Sequence, residues 1–179
     1  MKRLILALTI SLAVFSQTGH ASKAKVSRAA MFSRERALNG QLSALWPEDP
    51  YLLLGTTRGV YLDGYGAVFT AEIDLAPGPS LNPFHQTMTK QNIADNHEKM
   101  VQRLPKLKLA MSEMLAATAA SLDNVPAEEK VVLGITLTQY AWQDRAGVPS
   151  QVVVLGEKGK LIEAKRAGTL QRAVTEEEF

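Results

Sequence analysis

The sequence predicts an α+β domain: a mainly antiparallel sheet of two hairpin regions packed on a long, Pro-interrupted helical segment, with an N-terminal amphipathic helix. Three observations carry this expectation. Apolar residues alternate with period two over residues 67–75 and again over 131–137, the mark of strands with one buried face. Between them Ile93, His97, Met100, Leu104, Leu107, Met111, Met114 and Thr118 recur every three or four residues, the mark of a helix stripe buried against a partner surface. The chain has 179 residues, 46% hydrophobic and 21% charged, a globular balance at a length that suits one domain.

Residues 1–21 read as a cleaved export signal. Lys2 and Arg3 precede an uncharged run over 4–15, shorter than the roughly 20 residues that span a bilayer. Gly19 and Ala21 place small side chains at the −3 and −1 positions of a cleavage site. The expected mature protein begins near Ser22, is periplasmic or secreted, and keeps no transmembrane segment. Losing Lys2 and Arg3 balances the 20 Lys and Arg against the 18 Asp and Glu, so nucleic acid is not an expected partner.

Residues 22–50 form a basic leader and the first helix. Lys23, Lys25, Arg28, Arg34 and Arg36 crowd this end, and the leader reads as solvated. Ser27 is placed to cap a helix carrying Met31, Leu38, Leu42 and Leu45, and Pro47 opposes its continuation. Residues 51–168 make the single α+β domain. A short apolar run over 51–57 and Gly59-Val60-Tyr61-Leu62 lead to Asp63-Gly64, a dipeptide that favours a type I′ hairpin turn. Ala67, Phe69, Ala71, Ile73 and Leu75 then share one strand face. Pro77, Gly78, Pro79 and Pro83 make 76–89 a long loop, of a kind that is functional or mobile.

The helical stretch over 93–122 contains Pro105, which predicts a kink or a split into two helices. A second strand is expected over 130–143, a turn over 144–147, a returning strand over 151–155 and a short helix over 160–166 closed by Gly168. Residues 169–179 are a polar, acidic tail to which the sequence assigns no structure. A homodimer through an overhanging part of the Ile93–Thr118 stripe is conceivable, but a kink at Pro105 lets both halves wrap the sheet and favours the monomer.

Chemistry-bearing patterns are few. The absence of Cys excludes disulfides, thiolate metal sites and cysteine nucleophiles. Neither His85 nor His97 has a second His within a helical turn, so no metal is expected. Gly55-Thr56-Thr57-Arg58-Gly59 offers Arg58 to a phosphate or carboxylate, yet lacks the lysine and following helix of a P-loop. No nucleophile or dinucleotide motif stands in its required context, so no catalytic residue and no cofactor are assigned.

The more suggestive feature is a row of Thr136, Thr138, Tyr140 and Trp142 on one side of the second strand. Tyr and Trp on an open face stack on sugars or anchor a partner's side chain. The bland alternative is a second layer, with the N-terminal helix covering this row. Thr138, Tyr140, Trp142 and Arg58 are therefore the candidate binding residues. The expected function is that of an exported, non-enzymatic interaction module that binds a protein or envelope polymer through sheet and helix surfaces. The alternative is a small extracytoplasmic hydrolase using His85 with a carboxylate such as Asp63 or Asp74.

Overall fold

A computed structural model describes residues 26–48, 51–78 and 87–179. The expected export signal over residues 1–21, most of the basic leader and His85 lie outside the described residues.

The first helix, α1 (Arg28–Ser43), starts where Ser27 accepts a hydrogen bond from the Ala30 N–H at 3.1 Å. Met31, Leu38 and Leu42 are its buried apolar residues. Two short strands follow, β1 (Leu52–Leu53) and β2 (Arg58–Leu62), and both pair antiparallel with β3 (Gly66–Asp74). They behave as one edge strand interrupted at 54–57, where Gly55 takes a φ of 86°.

The β2–β3 turn differs from the expected type I′. The Tyr65 N–H donates to the Leu62 carbonyl at 3.0 Å, but of the two central residues only Gly64 has positive φ, at 77°. Leu62 pairs with Gly66, so the connection is three residues long. Gly66 explains the extra residue. It has a φ of 136° and lies so close to β4 that a Cβ there would fall 1.8 Å from the Lys130 carbonyl oxygen.

The central helix, α2 (Lys90–Ala119), runs as one helix of 30 residues through Pro105 and does not split. Pro105 lies on its exposed side, as does Val101, so the carbonyl that loses its helical partner is on the solvent side of the helix. Leu104, Leu107, Met111, Met114 and Leu115 are buried in the core, and Met111 is fully enclosed. From Met100 to Thr118 the stripe is buried in the protein's own core, while Ile93 and His97 are half-buried.

Because α2 crosses over between them, β3 and β4 (Lys130–Leu137) are parallel, from Gly66↔Lys130 to Ile73↔Leu137. The other pairings are antiparallel. β4 pairs with β5 (Gln151–Glu157), which leads into α3 (Lys158–Arg166). Residues 169–179 form a single 3₁₀ turn (Leu170–Arg172) and an edge strand, β6 (Thr175–Glu178), paired with β5. The six-stranded sheet thus runs β1 and β2 along one side of β3, then β4, β5 and β6. The fold is α+β, mostly antiparallel, with one long helix.

β4 stops at Leu137, short of the expected Gln143. Its partner β5 begins at Gln151, and beyond Leu137 the Gln143 side chain turns back to accept the Tyr140 N–H at 2.8 Å. The chain curls there and does not extend.

All three helices lie on one face of the sheet. Gly59 of β2 faces Phe69 and Met31 of α1, and Gly156 of β5 faces Leu161 of α3. Lys108 of α2 pairs with Glu176 and Glu178, which share the face of Val154 and Val152. Phe69, Ile73, Val131, Leu133, Ile135, Val152 and Val154 make the sheet's share of the core on this side. Among the described residues the opposite face carries no helix.

Candidate binding surface

The uncovered face follows from register. Side chains alternate along a strand, so residues paired with Val68, Thr70 and Glu72 all point away from the helices. One row across the sheet reads Val60, Val68, Val132, Leu155, Thr175; the next reads Arg58, Thr70, Gly134, Val153, Glu177; a third holds Glu72, Thr136 and Gln151. An apolar centre is thereby set among scattered charges. Its outer margin is fully wet: Leu52, Leu54, Val60 and Leu62 are all large, apolar and exposed, and they lie together along the β1–β2 edge. Exposed Arg58, in register with Thr70, divides this margin into a Leu52–Leu54 pair and a Val60–Leu62 pair, and clustered exposed apolar side chains mark an interaction site more often than a single exposed leucine does.

The edge itself is closed by α1. Glu35 and Asn39 lie four residues apart on one side of that helix. The Gly59 N–H donates to Glu35 at 2.8 Å, and Arg28 donates to the Gly59 carbonyl at 3.0 Å. Asn39 accepts from the Thr57 N–H and hydroxyl at 2.8 and 2.7 Å. At Thr57 and Gly59, backbone groups that the edge would offer to another strand are thus already satisfied. Burial pushes the Glu35 carboxyl up, but the Arg28 hydrogen bonds, the Gly59 N–H and the charges of Arg28 and Arg58 outweigh it and hold the group below the usual range. Arg58 itself is exposed on the uncovered face, and the Thr57 hydroxyl beside it is turned to Asn39.

At the far end of β3 the uncovered face runs into a cleft. A cavity of about 240 Å³ is walled by Asp74, Tyr140 and Trp142, with Leu52, Pro77 and Met88 completing it. The Tyr140 and Trp142 rings stack with centroids 6.0 Å apart and planes 7° from parallel. Gly78 lies against the indole, where a Cβ would come within 2.6 Å of the ring. Asp74 is 2% exposed; it accepts the Ala76 N–H at 3.3 Å and the Tyr140 hydroxyl. Burial raises its carboxyl above the usual range, and those two hydrogen bonds offset only part of the rise. The Tyr140 hydroxyl is raised as well, by burial first and then by the Asp74 charge.

A buried polar network fixes this cleft. Asn96 of α2 donates to the Ala76 carbonyl at 2.5 Å and accepts from Gln143 at 3.1 Å, while Gln143 holds the Tyr140 N–H. Arg103 donates to the Leu75 carbonyl at 2.7 Å, with its guanidinium 5.0 Å from the Trp46 ring. One helix thereby locks the end of β3 and the 138–143 segment in register with each other. Satisfied networks of this kind rigidify what they join.

The sequence-predicted residues are only partly brought together. Tyr140 and Trp142 meet in the cleft, but on a turn beyond β4. Thr138 donates to Glu72 at 2.7 Å on the uncovered face, and Thr136 is exposed there. Arg58 is on the opposite side of the same face, in register with Thr70. The N-terminal helix does not cover them, because α1 lies with α2 on the other side. Asp63 sits in the β2–β3 turn, eight or more strand steps of ~3.3 Å from Asp74, so the two carboxylates cannot serve one centre. His97 Nδ1–H donates to the Asp144 carbonyl at 3.1 Å. Among the described residues no cluster of His, Asp and Glu could hold a metal, and no helix is long and apolar enough to cross a membrane.

Sequence reasoning missed Asn96, Gln143, Arg103 and Gly78. Their partners are backbone carbonyls and rings from distant segments, for which no local pattern exists. The wet margin was more accessible: the run at 51–54 and the Val60-x-Leu62 pair place apolar side chains on the side opposite the core. None of the family models, curated proteins and solved structures compared with the chain matches it. What the fold and the surface define is a class: an α+β domain with a one-sided sheet, whose bare face ends in an aromatic, acid-bearing cleft.

Proposed function

We propose that the chain is an exported, non-enzymatic binding module that engages a protein or envelope polymer through the bare face of its sheet. One observation carries the reading: Leu52, Leu54, Val60 and Leu62 are exposed along one edge beside a half-buried apolar row, while every described helix is committed to the other face. A soluble chain gains nothing in stability from such surface, and a partner that covers it removes apolar area from water at ~25 cal/mol per Å². Arg58 and Thr138, at opposite sides of this face, supply polar contacts at its rim. Export rests on the sequence of residues 1–21, and N-terminal sequencing of the protein from the envelope or medium should begin near Ser22.

The test of binding is the double substitution Val60→Lys with Leu62→Lys. Both sites are exposed, so the fold should keep its stability within ~0.5 kcal/mol. Native purification from the producing cell should yield a complex for the unaltered chain and free protein for the variant. Retention of the same complex by the variant would show that the bare face is not the binding surface.

A further inference from the structure

We propose that the cleft at the end of β3 binds an alkylammonium group, with Asp74 as its counter-ion and the Tyr140–Trp142 pair as its apolar wall. This deepens the binding reading by naming the chemistry of one ligand group. Asp74 is 2% exposed, and its partners are an amide N–H and a phenol, neither of which carries positive charge. A carboxylate withdrawn from water is stabilised by a cation, and the described residues that line the cleft supply none. Asp74 is the only charged group among them, so an anion is repelled and a neutral ligand leaves the acid uncompensated.

The rest of the wall suits an amine on a hydrocarbon stem. Leu52, Pro77 and Met88 contact methylenes, and aromatic rings attract an ammonium through their negative faces. At ~30 Å³ per water, a volume of about 240 Å³ accommodates a butylamine-sized group with room to spare. The site is preorganised, because the Asn96–Gln143 network holds Tyr140 and Gly78 seats Trp142 without any ligand. Leu52 belongs both to the cleft and to the exposed margin of the bare face, so a lysine side chain of a partner seated on that face is within the same continuous surface.

The experiment is an NMR titration of the purified protein, read at the Trp142 indole N–H and assigned with Trp142→Phe because Trp46 gives a second signal. n-Butylammonium chloride should produce a saturable shift, and butan-1-ol, its neutral counterpart, should not. Asp74→Asn, which keeps size and shape, should weaken butylammonium binding at least about tenfold. Nα-acetyl-lysine methylamide separates the two sources of the same chemistry. Binding like butylammonium identifies a chain-borne lysine, and its exclusion identifies a free amine. Equal binding of butanol, unchanged binding by Asp74→Asn, or saturation by cellobiose with no response to the amine would each overturn the proposal. The comparison of amine with alcohol needs no variant, so poor folding of Asp74→Asn leaves it decisive. Amine binding is read without any macromolecular partner, so it and the sheet-face reading can fail separately.

Discussion

At the scale of single residues, two buried acids act in opposite directions. Glu35 is held ionised by Arg28 and Gly59, so its folded-state pKa lies below the unfolded value. Its contribution to stability is present above the unfolded pKa and is lost as pH falls through the folded one. Glu35→Gln should cost ~1–3 kcal/mol in denaturant unfolding at neutral pH, since Arg28 is largely solvated, and the difference should shrink on acidification. Asp74 has its pKa raised by burial, so its contribution is present below the unfolded value and is lost as pH rises through the folded one. Asp74→Asn should therefore be at least as stable as the unaltered chain at neutral pH, and a large loss there would show that the acid is favourably paired. Neither behaviour was legible in the sequence. Glu72 and Asp74 occupy equivalent places in one alternating strand. Only the return of Pro77 and of the Tyr140–Trp142 turn buries the second and leaves the first exposed.

At the scale of elements, what was legible is what local periodicity encodes. The 67–75 alternation gave the right inward face: Phe69 is fully buried, and Phe69→Ala should cost ~3–5 kcal/mol, seen as a lowered Tm. A melting temperature equal to that of the unaltered chain would contradict that burial. The seam of α2 was legible too, although Pro105 suggested a break that its exposed position makes unnecessary. Turn geometry was less so. Gly66 matters because β4 passes beside it, a contact set by the α2 crossover, and Gly66→Ala should lose more stability than the ~1–3 kcal/mol of an unfavourable backbone conformation alone. β6 had no apolar pattern to betray it. Its three glutamates are held by pairing with β5, and Glu176 and Glu178 also by Lys108 of α2, whose pKa is raised because those two carboxylates outweigh the effect of burial. Lys108→Ala should accordingly speed amide exchange at Glu176 and Glu178 while the β3–β4 amides keep their protection.

At the scale of the molecule, a single α+β domain could be read from the chain, and its one-sidedness could not. Amphipathic helices at both ends of a hairpin region are compatible with a sheet covered on both faces. The side taken by α1 is decided by Glu35, Asn39 and Arg28, which clamp the β2 edge from the side of Phe69 and leave the other face bare. That bareness is the central claim, because the functional reading rests on it. The most direct measurement is site-specific photo-crosslinking in the producing cell, with the reactive residue placed in turn at Val60, Thr136, Phe32 and Leu109. All four positions are exposed, the first two on the bare face and the last two on the outer sides of α1 and α2. One discrete adduct from Val60 and Thr136, with none from Phe32 and Leu109, is the predicted result. Adducts confined to the helix positions, or the same adducts from all four, would contradict it.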